Sequence, residues 1–155
     1  MQLPNFDSAC RICRALAGDP PMEVIWEDDL WFVRHTPPPA GVAGWLTIYS
    51  KRHVPGSAWF DDREAVALGP TLRWLARHLL EATVALRVYI AATVESAPHF
   101  HAHLVPRYEH TPGGVSGFAL FELSARAVRG EVAVDPDEIA RIVADLTTRL
   151  GATRP

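Results

Sequence analysis

The sequence predicts an α+β domain in which short strands form a mainly antiparallel sheet, with helices packed on one face. Three observations carry this reading. Apolar and polar residues alternate over residues 86–93 and again over 99–105, the period of a strand with two unlike faces. Two shorter strand-like stretches, 24–27 and 30–35, flank the acidic turn Glu27, Asp28, Asp29, which reads as a hairpin. Two longer stretches carry explicit helix-start signals, one at Asp61 and one at Asp135.

Taken in order, Arg14, Ala15, Leu16 and Ala17 read as a short helix closed by Gly18, Asp19, Pro20 and Pro21. The hairpin follows. Residues 36–44 form a loop stiffened by Pro37, Pro38 and Pro39 and loosened by Gly41 and Gly44. Residues 45–49 are aromatic and β-branched and make the next strand, which runs into the basic corner Ser50, Lys51, Arg52, His53. Asp61 is the N-cap of a helix, with Glu64 at the capping-box position. Val66, Leu72, Leu75 and Leu79 supply its buried stripe, and Pro70 predicts a kink or a broken first turn. The strand at 86–93 leads through a turn at 94–98 to the histidine-bearing strand. Residues 111–114 form a loop. Asp135, with Pro136 at the first helical position and Asp137 and Glu138 in the first turn, opens a last helix ending at Leu150 before Gly151.

The 155 residues suffice for one domain with a proper core, read as a single domain over 1–155. Hydrophobic residues make up 48% and charged residues 21%, the mix of an ordinary globular chain rather than a disordered one. A net charge of −3 with no basic stripe argues against nucleic acid as the partner. No apolar run approaches the roughly 20 residues needed to cross a bilayer, so no membrane role is expected. Residues 1–8 have neither the basic start nor the apolar stretch of a secretory signal, and a cytoplasmic location is the expectation.

His99, His101 and His103 alternate with Phe100, Ala102 and Leu104, which on a strand puts three imidazoles on one face. On a helix the same spacing would scatter them. Three readings stay open: a surface strand with a chance cluster, a metal site, or a neutral imidazole attacking phosphorus with its neighbours binding the oxygens. The only two cysteines, Cys10 and Cys13, are spaced Cys-x-x-Cys with no apolar strand before them, which favours metal over thioredoxin-like redox chemistry. Two thiolates fill half of a tetrahedral zinc shell, so further ligands must come from elsewhere.

His99 to Val105 resembles the alternating signature of the histidine-triad (HIT) superfamily, followed by Pro106 and Arg107, which are often seen there. The Cys10–Cys13 pair, the acidic hairpin, the corner ending at His53, the capped helix and the triad recur in that order in zinc-containing bacterial members. The resemblance covers residues 10–107 and is weak beyond. It implies a HIT-like fold, a five-stranded antiparallel sheet with helices packed on it, joined to a second copy as a homodimer. It implies structural Zn²⁺ on Cys10, Cys13, His53 and His99. It further implies a nucleotide hydrolase or nucleotidyl transferase acting at the α-phosphate of a nucleotide derivative. His101 would be the nucleophile, His103 would meet the phosphate charge, and Ser96 would contact the phosphate or leaving group.

Three positions depart from the family pattern. Val94 and Glu95 stand where Gly-Gln is usual, Trp45 replaces a histidine after Gly44, and Arg34 stands where an aspartate often binds ribose. Arg34 and His35 are therefore candidates for phosphate contact. Two rivals follow: a nucleotide-binding module with little or no turnover, and a metalloprotein that uses the triad itself as a metal site.

Overall fold

The computed structural model describes residues 5–95, 97–111 and 115–155. Helix α1 (Arg11–Leu16) is followed by strands β1 (Trp26–Glu27), β2 (Trp31–His35) and β3 (Leu46–Ser50). Helix α2 (Asp62–Thr83), strands β4 (Arg87–Ala91) and β5 (His101–Arg107), and helices α3 (Glu122–Val128) and α4 (Pro136–Ala152) complete the chain. The five strands form one antiparallel sheet in the order β1-β2-β3-β5-β4.

The register decides which side chains share a face, because paired residues point the same way. Val33, Ile48 and Ala102 are paired across β2, β3 and β5. They pack with Leu104 against Leu75 and Leu79 of α2 and Ile142, Leu146 and Leu150 of α4. Burying each such aliphatic side chain is worth about 1.5–3 kcal/mol, so this layer supplies most of the drive to fold. On the other face Arg34, Thr47, His103 and Ala91 form one cross-strand row, and Phe32, Tyr49 and His101 the next.

That second face is not bare, which departs from helices on one side only. Cys10, Ile12 and Cys13 of the N-terminal segment cover it at Phe32. Leu120 and Leu123 cover it at Trp45 and Val105, using a 3-10 turn (Gly117–Phe121) and α3, neither of which the sequence announced. A Cβ at Gly41 would collide with the Leu123 carbonyl, so α3 lies directly on that loop. The histidines sit in the strip between the two covers.

Helix α2 starts as expected. The Asp61 carboxylate accepts from the Glu64 N–H, and Glu64 returns to the Asp61 N–H. It runs unbroken through Pro70, however. Pro70 is exposed, and the carbonyl it strands, on Val66, belongs to a residue 75% exposed, which leaves it open to solvent rather than buried without a partner. For the same reason Val66 is not part of the buried stripe. The last helix continues through Gly151 to Ala152, with Asp135 capping the Asp137 N–H at 3.0 Å. Among the described residues no helix is long and apolar enough to cross a membrane.

Candidate active site and metal centre

Cys10 is the N-cap of α1 and Cys13 lies in its first turn, so a single short helix places both thiols. His99 lies two residues before β5 begins, and its ring turns toward them. Its Nε2–H donates to the Ser50 carbonyl at 2.7 Å, which leaves Nδ1 bare. That Nδ1 is 3.6 Å from Cys10 Sγ, 3.5 Å from Cys13 Sγ and 3.3 Å from His53 Nδ1. Cys13 Sγ is 3.4 Å from His53 Nδ1. A tetrahedral zinc with ordinary bond lengths separates its ligands by about 3.3 Å between nitrogens and about 3.6 Å between nitrogen and sulfur. Those four donor pairs stand at such separations, all four donors lie within 4.8 Å of one another, and the set of two thiols and two imidazoles suits zinc.

The surroundings support the cluster. Arg52, next to His53, bonds Glu64 through Nε at 3.0 Å and the Trp59 carbonyl through Nη2 at 2.8 Å, fixing the corner to the start of α2. Asp7 Oδ2 lies 3.8 Å from His53 Nε2. Burial pushes the Cys13 thiol up to about 11, so a bound cation is what would ionise it.

His101 opens β5. Its Nδ1–H donates to the His99 carbonyl at 2.8 Å, so the lone pair rests on Nε2. One face of the ring stacks on Tyr49, with centroids 5.7 Å apart at 23°, and Tyr49 stacks in turn on Phe32. His103 meets His101 edge-on at 5.3 Å.

Two side chains on β3 and its approach hold His103. The Trp45 indole N–H donates to its Nδ1 at 3.1 Å, and Thr47 Oγ1 lies 3.2 Å from the same atom. An indole N–H only donates, so Nδ1 is the acceptor and the proton sits on Nε2. Burial, reinforced by the His101 charge, holds the His103 imidazolium down to about 4, so the ring is neutral near pH 7. Trp45 thus supplies a polar contact where the departure from the family pattern implied a missing one. The signal for it in the sequence is its position just before β3, two residues from Thr47, a spacing that puts it on the histidine-facing side.

The other expected residues fare differently. His35 is buried with both nitrogens committed: Nδ1–H donates to the Thr36 carbonyl at 2.6 Å, and Nε2 accepts the Gly44 N–H at 3.0 Å. It ties the 36–44 loop together and has no ring nitrogen left for a ligand. Arg34 is half-buried in the Thr47–His103 row, its Nε donating to the His35 carbonyl at 3.2 Å. Ser96 lies outside the described residues, as does the 112–114 part of the expected loop. Among the described residues one group of thiol, imidazole and carboxylate side chains converges within metal-binding distance, and it takes only His99 from the triad. His101 and His103 are not in that group, so among the described residues the three histidines do not converge as a metal site of their own.

No model of a known protein family matches the chain, and no curated relative does. Solved structures do match in fold. A Zn-bound histidine triad family protein from Mycobacterium smegmatis is 20% identical with a TM-score of 0.65, over 94% of this chain and 98% of that one. A hypothetical histidine triad nucleotide-binding protein from Sulfolobus tokodaii is 13% identical with a TM-score of 0.67, over 92% and 93%. A Hit-like protein involved in cell-cycle regulation from Bartonella henselae is 13% identical with a TM-score of 0.66, over 92% and 97%.

Proposed function

We propose that this chain, which has the histidine-triad fold, is a nucleotide-binding hydrolase or nucleotidyl transferase that cleaves at the α-phosphate of a nucleotide derivative. One observation carries the reading: the His99 carbonyl holds the His101 Nδ1–H, leaving an imidazole nitrogen with a free electron pair on the sheet face that bears the triad.

His101 Nε2 attacks phosphorus, forming a P–N bond, while the bond to the leaving group breaks and its electron pair departs with that group, which takes a proton from solvent. Water, or another acceptor hydroxyl in transfer, then attacks phosphorus and loses its proton to solvent. The P–N electron pair returns to His101. His103, neutral and carrying its proton on Nε2, donates to the phosphate oxygens as charge builds on them. Ser96 and Arg34 are the further phosphate-side groups in this reading. Zinc on Cys10, Cys13, His53 and His99 would be structural, closing the N-terminal segment over the strand that carries the nucleophile. Pairing of two copies along β4 is supported by the sheet ending there and by the exposed Leu86 and Ile90. The location in this reading is cytoplasmic.

A module that binds nucleotide without turnover is the second reading, favoured by the 4% exposure of His101. A panel of nucleoside 5′-monophosphate esters, amidates and anhydrides separates the two. Turnover of at least one class, cut at least about a thousandfold by His101→Ala, supports catalysis. Binding without turnover across the panel supports the module.

A further inference from the structure

Beside His103, on the side away from Tyr49, the structure holds a cavity of about 280 Å³. Its walls include Trp45, Phe118, Phe121 and the His103 ring, with Thr93 and Ser124 as its polar members. Among the described residues no charged side chain lines it. The volume is at the small end of ligand pockets, room for one aromatic group rather than a whole nucleotide.

The walls are arranged for a ring. Trp45 stands edge-on to His103 at 5.7 Å and to Phe121 at 5.8 Å, and Phe121 lies 6.4 Å from His103 at 64°. Phe118, one turn back on the 3-10 segment, is 87% exposed and presents its phenyl at the rim. An exposed phenyl beside an aromatic-walled hollow is poised to cover an apolar guest. The hollow is also continuous with the proposed chemistry. His101 lies on one side of His103 and the cavity on the other, so a substituent on phosphorus at His101 that extends past His103 enters it.

We propose that this cavity is the leaving-group subsite, and that the group it takes is uncharged and aromatic. The inference rests on the proposed phosphorus chemistry and narrows it: a pyrophosphate, a sulfate or an ammonium-bearing chain would meet apolar walls with no counter-charge and lose hydration for nothing. The segment after Arg107, where the family resemblance is weak, thereby gains a role in specificity.

Three adenosine 5′-phosphoramidates that differ only in the amine test this: unsubstituted, phenylamine, and an alkyl amine ending in an ammonium. The expected result is kcat/KM for the phenylamine compound at least about tenfold above that for the ammonium compound, with the ratio of phenylamine to unsubstituted falling at least about fivefold in Phe118→Ala and in Phe121→Leu. Equal rates, a preference for the ammonium, or an unchanged ratio in both variants overturns the subsite while leaving the proposed chemistry intact. Absence of turnover with all three compounds counts against the chemistry itself, and binding then decides the subsite. Neutral aniline is expected to shift the Trp45 indole N–H resonance, and methylammonium to leave it in place. No aniline shift sinks the subsite.

Discussion

The backbone carbonyl of His99 accepts the Nδ1–H of His101 at 2.8 Å, while the His99 ring belongs to the Cys10–Cys13–His53 cluster. One residue therefore joins the candidate metal centre to the tautomer of the proposed nucleophile. Anything that frees the His99 ring loosens the acceptor that sets the His101 tautomer.

Metal removal is the first consequence. Zinc is expected at one equivalent per chain and to be lost in Cys10→Ala, checked by elemental analysis. Chelation is expected to lower the melting temperature, since structural zinc contributes several kcal/mol or more. It is also expected to reduce turnover, although no metal ligand is assigned to substrate.

Trp45 is expected to act on rate through His103. Trp45→Phe keeps an aromatic ring, though a smaller one, and removes the N–H, leaving Thr47 to satisfy His103 Nδ1. The loss corresponds to about 1–2 kcal/mol, a five- to thirtyfold fall in kcat/KM. The distinguishing readout is the His103 nitrogen NMR signature: protonated Nε2 and bare Nδ1 in the wild type, a mixture of tautomers in the variant. An unmixed spectrum in Trp45→Phe would contradict the assignment.

Stability is expected to fall as the solution becomes acidic. Burial lowers the His103 pKa from 6.5 to about 4, so between those values the unfolded chain binds a proton that the folded chain refuses. Stability contributed by the neutral ring is complete above 6.5 and is lost as pH falls toward 4, by about 2–3 kcal/mol in all. Denaturation of wild type and His103→Gln across this window isolates the effect from acid loss of zinc, which both share. A slope no steeper in the wild type rules it out.

Val84 caps α2 in the left-handed region at φ 52°, with 90% of its surface exposed. A β-branched residue is strained there and glycine is not. Val84→Gly is expected to stabilise by about 1 kcal/mol, raising the melting temperature by roughly 3 °C. Calorimetry on the two proteins checks it.

What the sequence disclosed follows from how local each signal was. The Asp61–Glu64 box and the Asp135 cap are complete within a few residues, and both form. Alternation places His101 and His103 on one face because strand geometry leaves no other choice. The donors at Cys10, Cys13, His53 and His99 are spread over ninety positions, and the family resemblance rather than spacing brought them together. Trp45 looks like a missing contact in the sequence because its donor role depends on packing against a ring 58 residues away. His35 looks like an available imidazole in the sequence because its partner, the Gly44 N–H, becomes adjacent only once the loop folds back. Residues 115–134 carry weak periodicity and are organised by tertiary contact, as the close approach of Leu123 to Gly41 shows.

The central claim is a covalent bond between His101 and phosphorus. Intact mass spectrometry after rapid acid-free quenching of the zinc-loaded protein with an adenosine 5′-phosphoramidate tests it most directly. The account predicts a transient gain of one adenylyl group in the wild type, mapped to the peptide bearing His101 and absent in His101→Ala. Turnover in the wild type with no adduct on any timescale, or an adduct that survives in His101→Ala, would contradict it.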